Sequence, residues 1–223
     1  NDMKLKRMVG PNEQVRTFCT NKGGVVAACK YRDITLVDGW RSSTDNTNFG
    51  LVTRLFVDPA NPVEYGYHVA RTVNVVGAGR PILQRLEDLI NQRPTSLAVL
   101  ESNRVRPTLR DCSLADINIA LPRRFITNVM ETLQVLAQVV PGVLDPDVLV
   151  YAPALELCWD KFWLDSHMQT SIEGLYVCGD TTGHVRGLVQ AAATGVLAAR
   201  HIIGQVEHVV SSIRKEVNHD FEK

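Results

Sequence analysis

The chain has 223 residues, 45% of them apolar, and its 24 basic and 24 acidic side chains leave a formal net charge of zero. That length suits one large domain or two modest ones, each with a core of its own. A neutral chain without a cationic block offers no electrostatic footprint for nucleic acid or an anionic membrane, and no apolar run approaches the roughly 18 residues of a membrane span.

The five cysteines, Cys19, Cys29, Cys112, Cys158 and Cys178, are odd in number, and no two stand at Cys-x-x-Cys spacing. A redox disulfide and a zinc knuckle are therefore not expected; buried, inert thiols in a reducing cytoplasm are. The opening residues 1–7 are polar and do not read as a signal peptide.

The first part reads as β-rich. Residues 15–19 and 25–29 flank Thr20-Asn21-Lys22-Gly23-Gly24, whose paired glycines permit a turn at positive φ. Residues 34–37 lead to a second turn signal, Asp38-Gly39. Residues 48–57 alternate loosely through Phe49, Leu51, Leu55 and Val57, and end at Pro59 and Pro62. Three or four antiparallel strands are the expected product.

Residues 73–76 form an apolar run that leads into Gly77-Ala78-Gly79, and a helix is expected to follow through Ile82, Leu83, Leu86, Leu89 and Ile90. The dinucleotide fingerprint wants a small residue where Ile82 stands, and an acidic residue ending a second strand about 20 residues on. Glu101 lies near that distance but precedes the loop-like residues 102–107. The segment therefore reads as a glycine-bearing helix start. An NAD-only dehydrogenase built on these glycines ranks low.

Residues 107–122 are irregular and polar. From Arg123 to Val140, Phe125, Ile126, Val129, Leu133, Leu136 and Val140 fall on one helical face, and Pro141-Gly142 stops the helix. Short strands are expected at 148–151 and 155–158, separated by Ala152-Pro153, with an edge position or a domain crossing at Pro153. The expected division is an inserted, cap-like domain over 1–150 and a C-terminal segment of a cofactor domain over 151–223.

The densest pattern lies in that second part. Gly174-Leu175-Tyr176-Val177-Cys178-Gly179-Asp180 reads as a buried strand at 175–178 ending on an acidic residue. A glycine-bearing loop with Thr181, Thr182, Gly183, His184, Val185 and Arg186 follows, then a helix opening on Gly187, Leu188 and Val189. Its face of Leu188, Ala191, Ala192, Gly195, Ala198, Ala199 and Ile202 is mostly small and suited to close approach to a sheet. From Gly204 onward a separate last amphipathic helix is expected.

In open α/β sheets ligands sit at the carboxyl ends of strands, so Asp180 is placed to accept a sugar-like hydroxyl. Gly179 lets the backbone pass close to a ligand, and the N–H groups of Gly187, Leu188 and Val189 point at developing negative charge. Arg186 and His184 stand in the loop, facing either ligand or solvent. His68, His167 and His184 lack a partnered carboxylate at motif spacing, so no acid, base or nucleophile is named.

This segment resembles the C-terminal FAD-binding motif of flavoproteins with two dinucleotide-binding domains. Further residues occur in the same order: Thr17-Phe18-Cys19, Gly23-Gly24-Val25-Val26, Asn46-Thr47-Asn48-Phe49, residues 80–89 from Arg80-Pro81, Leu121-Pro122, Pro141-Gly142 and Tyr151-Ala152-Pro153. Together, over about residues 15–203, they look like the C-terminal two-thirds of the FAD-dependent dehydrogenases, or NAD(P)/FAD-utilising oxidoreductases, of bacteria and archaea. Where that family often carries Cys-x-Cys-Pro, Thr20-Asn21-Lys22 follows Cys19 here.

The resemblance implies an α/β chain: an α+β inserted domain plus the strand, loop and helix that complete a Rossmann-like FAD site. It implies FAD held through Gly179, Asp180, Arg186, Gly187, Leu188 and Val189, with NAD(P) as a possible electron donor. No Gly-x-Gly-x-x-Gly unit for the ADP half precedes these residues. The expected partner is therefore an N-terminal FAD-binding portion of a longer parent chain, and the fragment alone is expected to be inactive. A homo-oligomer is possible, and neither nucleic acid nor membrane is expected. The competing reading is a non-catalytic module whose inserted domain binds a partner protein or folded RNA.

Overall fold

A computed structural model describes residues 4–54, 61–156, 161–185 and 187–221, with side chains to residue 214. The chain is an α/β protein divided into two compact units, Asn1–Leu157 and Cys158–Lys223.

The first unit opens with five strands: β1 (Lys6–Gly10), β2 (Glu13–Lys22), β3 (Gly24–Tyr31), β4 (Ile34–Arg41) and β5 (Thr47–Arg54). β2 lies between β1 and β5 in an antiparallel sheet, and β3 and β4 form a separate hairpin. Gly23 takes φ 69°, the positive value that its turn requires.

Asp38-Gly39 is not a turn but part of β4. Gly39 is there for close approach: a Cβ on it would stand 2.6 Å from Asn48 Oδ1. Gly24 meets the same pair, its Cβ position 2.6 Å from Asn48 Nδ2, and Asn21 Nδ2 donates to Asn48 Oδ1 at 3.0 Å. Two side-chain amides thus sit where two glycines leave room, and this joins the hairpin to the sheet. Leu55 and Val57, expected to extend β5, lie outside the described residues.

α1 (Pro62–Val76) is not anticipated by the apolar pattern, because residues 62–72 alternate apolar and polar too loosely. Its signal is local: the Asn61 side chain accepts from Glu64 N at 3.1 Å, and proline occupies the first helical position. The helix ends at Gly77, and β6 (Ile82–Arg85) follows the turn. The glycines therefore lie between a helix and a strand, the reverse of the helix start expected there. Ile82 and Leu83 are apolar because β6 is wholly buried.

α2 (Leu86–Ile90), α4 (Ile117–Ala120) and α5 (Arg123–Leu136) share a core with β6 and its antiparallel partner β7 (Leu149–Ala152), and α3 (Leu97–Ser102) lies between α2 and α4 in the chain. The core is formed by Val73, Ile82, Leu86, Leu89, Ile117, Ala120, Leu133, Leu136, Val143 and Ala152. Ile34, Leu36, Tyr67 and Ala70 make a smaller cluster between β4 and α1. α5 closes at Leu136, four residues before the expected end, and turns carry the chain to Gly142, where φ is 81°. Leu155 and Glu156 are not in a strand; Leu155 instead packs against the smaller cluster. Leu157 and Cys158, the rest of that expected strand, lie outside the described residues.

A polar network lies inside the first unit. Gln84, Arg85, Asp88, Thr95, Asn103 and Asp116 are all buried. Asp116 caps α4 by accepting from Asn118 N at 3.0 Å, and it also accepts from Gln84 Nε2 at 3.1 Å. Asp116→Ala removes a cap and one of the hydrogen bonds of the buried Gln84 amide, whose Nε2 keeps Arg93 O, so the first unit should lose about 2 kcal/mol. Urea unfolding followed through this unit checks that value.

In the second unit, α6 runs unbroken from Leu188 to Phe221, so Gly204 does not divide it. A single glycine costs a helix about 1 kcal/mol, which a helix of this length absorbs. Residues 175–178 are not a buried strand: Tyr176 makes one antiparallel bridge to Gln169, and Leu175 is exposed. A strand is buried only where neighbours cover both its faces. Among the described residues of this unit only Thr182, Thr194 and Ala198 are buried. For the same reason Leu188, Ala192, Ala199 and Ile202, read as a sheet-facing stripe, are exposed here.

The thiols also differ from expectation. Cys29 and Cys178 are exposed, and Cys19 and Cys112 are half-buried. Burial, with help from Asp111, pushes the Cys112 thiol up to about 11, so it is inert at neutral pH. Among the described residues, no helix is long and apolar enough to cross a membrane.

Candidate functional site

The loop before α6 is built around Gly179. Its φ of 83° and ψ of −162° fall in a region that essentially only glycine enters. The chain needs that conformation to swing from Tyr176-Val177-Cys178 into a single 3₁₀ turn, Asp180–Thr182. Gly183, at φ 72°, ends the turn, and its N–H donates to Asp180 O at 3.0 Å.

Two threonines hold this geometry. Gly179 N donates to Thr194 Oγ1 at 2.7 Å, and Thr194 Oγ1 donates to Ala191 O at 2.7 Å, which ties the loop to the second turn of α6. Thr182, fully buried, donates from Oγ1 to Gly179 O at 2.8 Å and accepts from His184 N at 3.2 Å. Sequence reasoning passed over both threonines. Their signal is a hydroxyl flanked by apolar and small residues, which must find a backbone partner once buried.

Asp180 is exposed at the start of the 3₁₀ turn. Apart from its chain neighbours, no atom lies within 4 Å of the point where a Cβ on Gly179 would stand. A ligand therefore has room to lie against the backbone beside the Asp180 carboxylate. Ala191 N donates to Gly187 O at 2.8 Å, so Gly187 is the residue from which the helix springs. The N–H groups of Leu188, Val189 and Gln190 then have no partner within the helix. Leu188 and Val189 are 92% and 78% exposed, while the Gln190 side chain folds back over Gly187, its Oε1 crowding the point where a Cβ there would stand. Arg186 lies outside the described residues.

The histidines have clear surroundings. His184 Nε2 lies 2.8 Å from Phe162 O, and Phe162 N donates to Thr182 O at 3.2 Å, so His184 staples the loop to an earlier segment. His167 stacks on His201 of α6 with ring centroids 4.2 Å apart, and Tyr176 OH lies 2.9 Å from His201 Nδ1. Backbone N–H groups of Gln169 and His167 hold the Asp165 carboxyl below its ordinary range, helped by the two imidazoles. His68, which sequence spacing left without a carboxylate, lies 3.6 Å from Glu64 one helical turn away. That pair is exposed on α1, where Arg32 also reaches Glu64 at 3.5 Å and the Tyr67 ring lies beside His68.

In the first unit a shallow groove of about 320 Å³ is lined by Ala28, Lys30, Thr35, Gly79, Arg80, Pro81 and Asp111. Its one close charge pair, Arg80 with Asp111 at 3.7 Å, is exposed. Ala78 at φ 52° and Gly79 at φ 83° shape the turn beside it. No helix starts at these glycines, so they offer no helix N-terminus to a pyrophosphate. Among the described residues, no group of three or more histidine, cysteine or acidic side chains is placed to hold a metal ion.

No family model matches the chain, and no curated protein matches it.

Proposed function

We propose that this chain supplies the flavin-side half of an FAD site in an oxidoreductase. One observation carries the reading: Gly179 is held in a glycine-only conformation that leaves open space beside an exposed Asp180, a short loop before the start of a long helix. The residues fit the group. The Asp180 carboxylate would accept from a ribityl or ribose hydroxyl, a charge-assisted bond stronger than a neutral side chain gives. Gly179 would let the cofactor's chain lie against the backbone, and Leu188 and Val189 would offer their N–H groups to the pyrimidine edge.

Bound flavin supplies hydride or electron transfer, with NAD(P) as a candidate donor. The residues of this chain do the binding, orient the ring and stabilise negative charge. A helix N-terminus favours such charge by about 0.3 to 2 kcal/mol, more when the site is covered. Arg186, next to Gly187 in the sequence, would add a cation toward the phosphates. The ADP half would be held by a separate dinucleotide-binding portion, since this chain carries no Gly-x-Gly-x-x-Gly sequence. The odd number of cysteines and the lack of Cys-x-x-Cys spacing favour a cytoplasmic setting.

The test uses flavin mononucleotide, which carries the isoalloxazine and ribityl chain without the adenosine. Its fluorescence should change saturably on titration with the chain. Asp180→Ala removes a charge-assisted bond worth about 1.5–3 kcal/mol, so the dissociation constant should rise about 10- to 100-fold. Equal affinity in the parent and the variant would remove Asp180 from the site.

A further inference from the structure

α6 shows two faces. Thr194 and Ala198 are buried and His201 is half-buried, so this side packs on the loop of its own unit. On another side, Val189, Val196, Ile203 and Val210 recur every seven residues, and Ala192, Ala199, Val206 and Ile213 follow each of them by three. All eight are exposed; Val196, Ile203, Val206, Val210 and Ile213 lie between 43% and 56%. A straight helix drifts by about 20° for every seven residues, so a strict seven-residue apolar repeat stays in contact only when two helices wind around each other.

We infer that this stripe, from Val196 to Ile213, pairs with the same stretch of a second copy of the chain, as an antiparallel two-stranded coiled coil centred between Ile203 and Val206. The side-chain sizes choose the direction. In the antiparallel arrangement Val196 meets Ile213 of the second copy, Ala199 meets Val210, and Ile203 meets Val206. Ala199 of each copy thus has a larger residue opposite it. A parallel pair in register would set Ala192 and Ala199 against themselves and leave voids along the seam.

The flanking charges choose the same direction. Arg200 and Glu207 border the stripe on one side, both exposed, and the antiparallel register brings Arg200 of each copy beside Glu207 of the other. In the parallel register their neighbours would be Gly195 and Ile202, which carry no charge. Ile202 and Val209 widen the apolar seam on its other side. The contact is isologous, so it closes as a dimer and does not propagate.

Pairing over residues 196–213 leaves the first turn of α6, residues 188–190, clear of the seam. The inference therefore does not rest on the flavin reading and stands whether or not flavin binds.

Sedimentation velocity on the full chain over the micromolar range tests it. The chain should sediment as a dimer, and Ile203→Glu with Val206→Glu should sediment as a monomer that keeps its helical circular dichroism. Glu207→Arg should raise the dimer dissociation constant about tenfold by setting Arg against Arg, and adding Arg200→Glu should restore it. A parent chain that is monomeric throughout while folded would overturn the inference, and would mean that another occupant covers the stripe. A dimer unmoved by the glutamates, or a double charge reversal that fails to restore affinity, would overturn it equally.

Discussion

Gly179→Val should disorder the turn before α6 and abolish flavin binding together with it. A β-branched side chain at φ 83° and ψ −162° collides with its own backbone, and such strain costs of order 1–3 kcal/mol. The cost has no local remedy, because Gly179 is fixed from three sides. Its N–H is bonded to Thr194 Oγ1, its carbonyl accepts from Thr182 Oγ1, and Asp180 begins the next turn.

At about 3 kcal/mol the ordered loop loses about 100-fold in population. Amide exchange reads this directly: the Gly179 and Gly183 amides should lose protection while the middle of α6 keeps it. Gly204→Ala is the matched control. That position is in open helix with nothing within 4 Å, so alanine there should stabilise α6 by about 0.5–1 kcal/mol and leave the loop unchanged.

Arg85→Met should be the most damaging single change in the first unit, at about 3–5 kcal/mol. Arg85 is 9% exposed and donates from Nε to Asn103 Oδ1 at 2.8 Å and from NH2 to Asp147 Oδ1 at 3.0 Å. Its NH1 lies 3.1 Å from Glu87 Oε2 and 3.9 Å from Asp88 Oδ2. Methionine fills the space but takes a donor from the buried Asn103 Oδ1 and from the Asp147 carboxylate. Lysine should recover little, because an ammonium cannot serve several acceptors fixed around a planar fork.

Arg93 is the comparison. It also binds Asp88, from Nε to Oδ1 at 2.8 Å, but is itself 58% exposed, so Arg93→Met should cost less than half as much. Thermal unfolding of the two variants ranks them.

The sequence made some of this readable and concealed the rest for identifiable reasons. α5 was legible because Ile126, Val129, Leu133 and Leu136 repeat at helical spacing against one core. The β-rich start was legible from its turn glycine at 23. α1 was hidden because its signals are a cap and a first-turn proline, not an apolar face. Gly39 was misread because a glycine that makes room for Asn48 looks the same in sequence as a glycine that turns. The order around Gly77-Ala78-Gly79 was misread because an apolar run such as 73–76 suits the end of a helix as well as a strand.

At the candidate site, Gly179 and Asp180 stood out as part of the whole strand–loop–helix run and its resemblance to a flavin-binding motif, while that pattern assigned no role to Thr182 or Thr194. Their role depends on being brought together by a backbone swing at Gly179, which no periodicity encodes. The expected burial of 175–178 and of the small-residue stripe failed for one reason. Those faces need a sheet to cover them, and the described residues of the second unit contain none.

The most direct test of the central claim is an amide chemical-shift map of the chain during titration with millimolar flavin mononucleotide. Shifts should concentrate at Gly179, Asp180, Leu188, Val189 and Gln190, saturate together, and disappear in Asp180→Ala. Saturating shifts that leave those amides unmoved, or that centre on Gly77, Ala78 and Gly79, would contradict it.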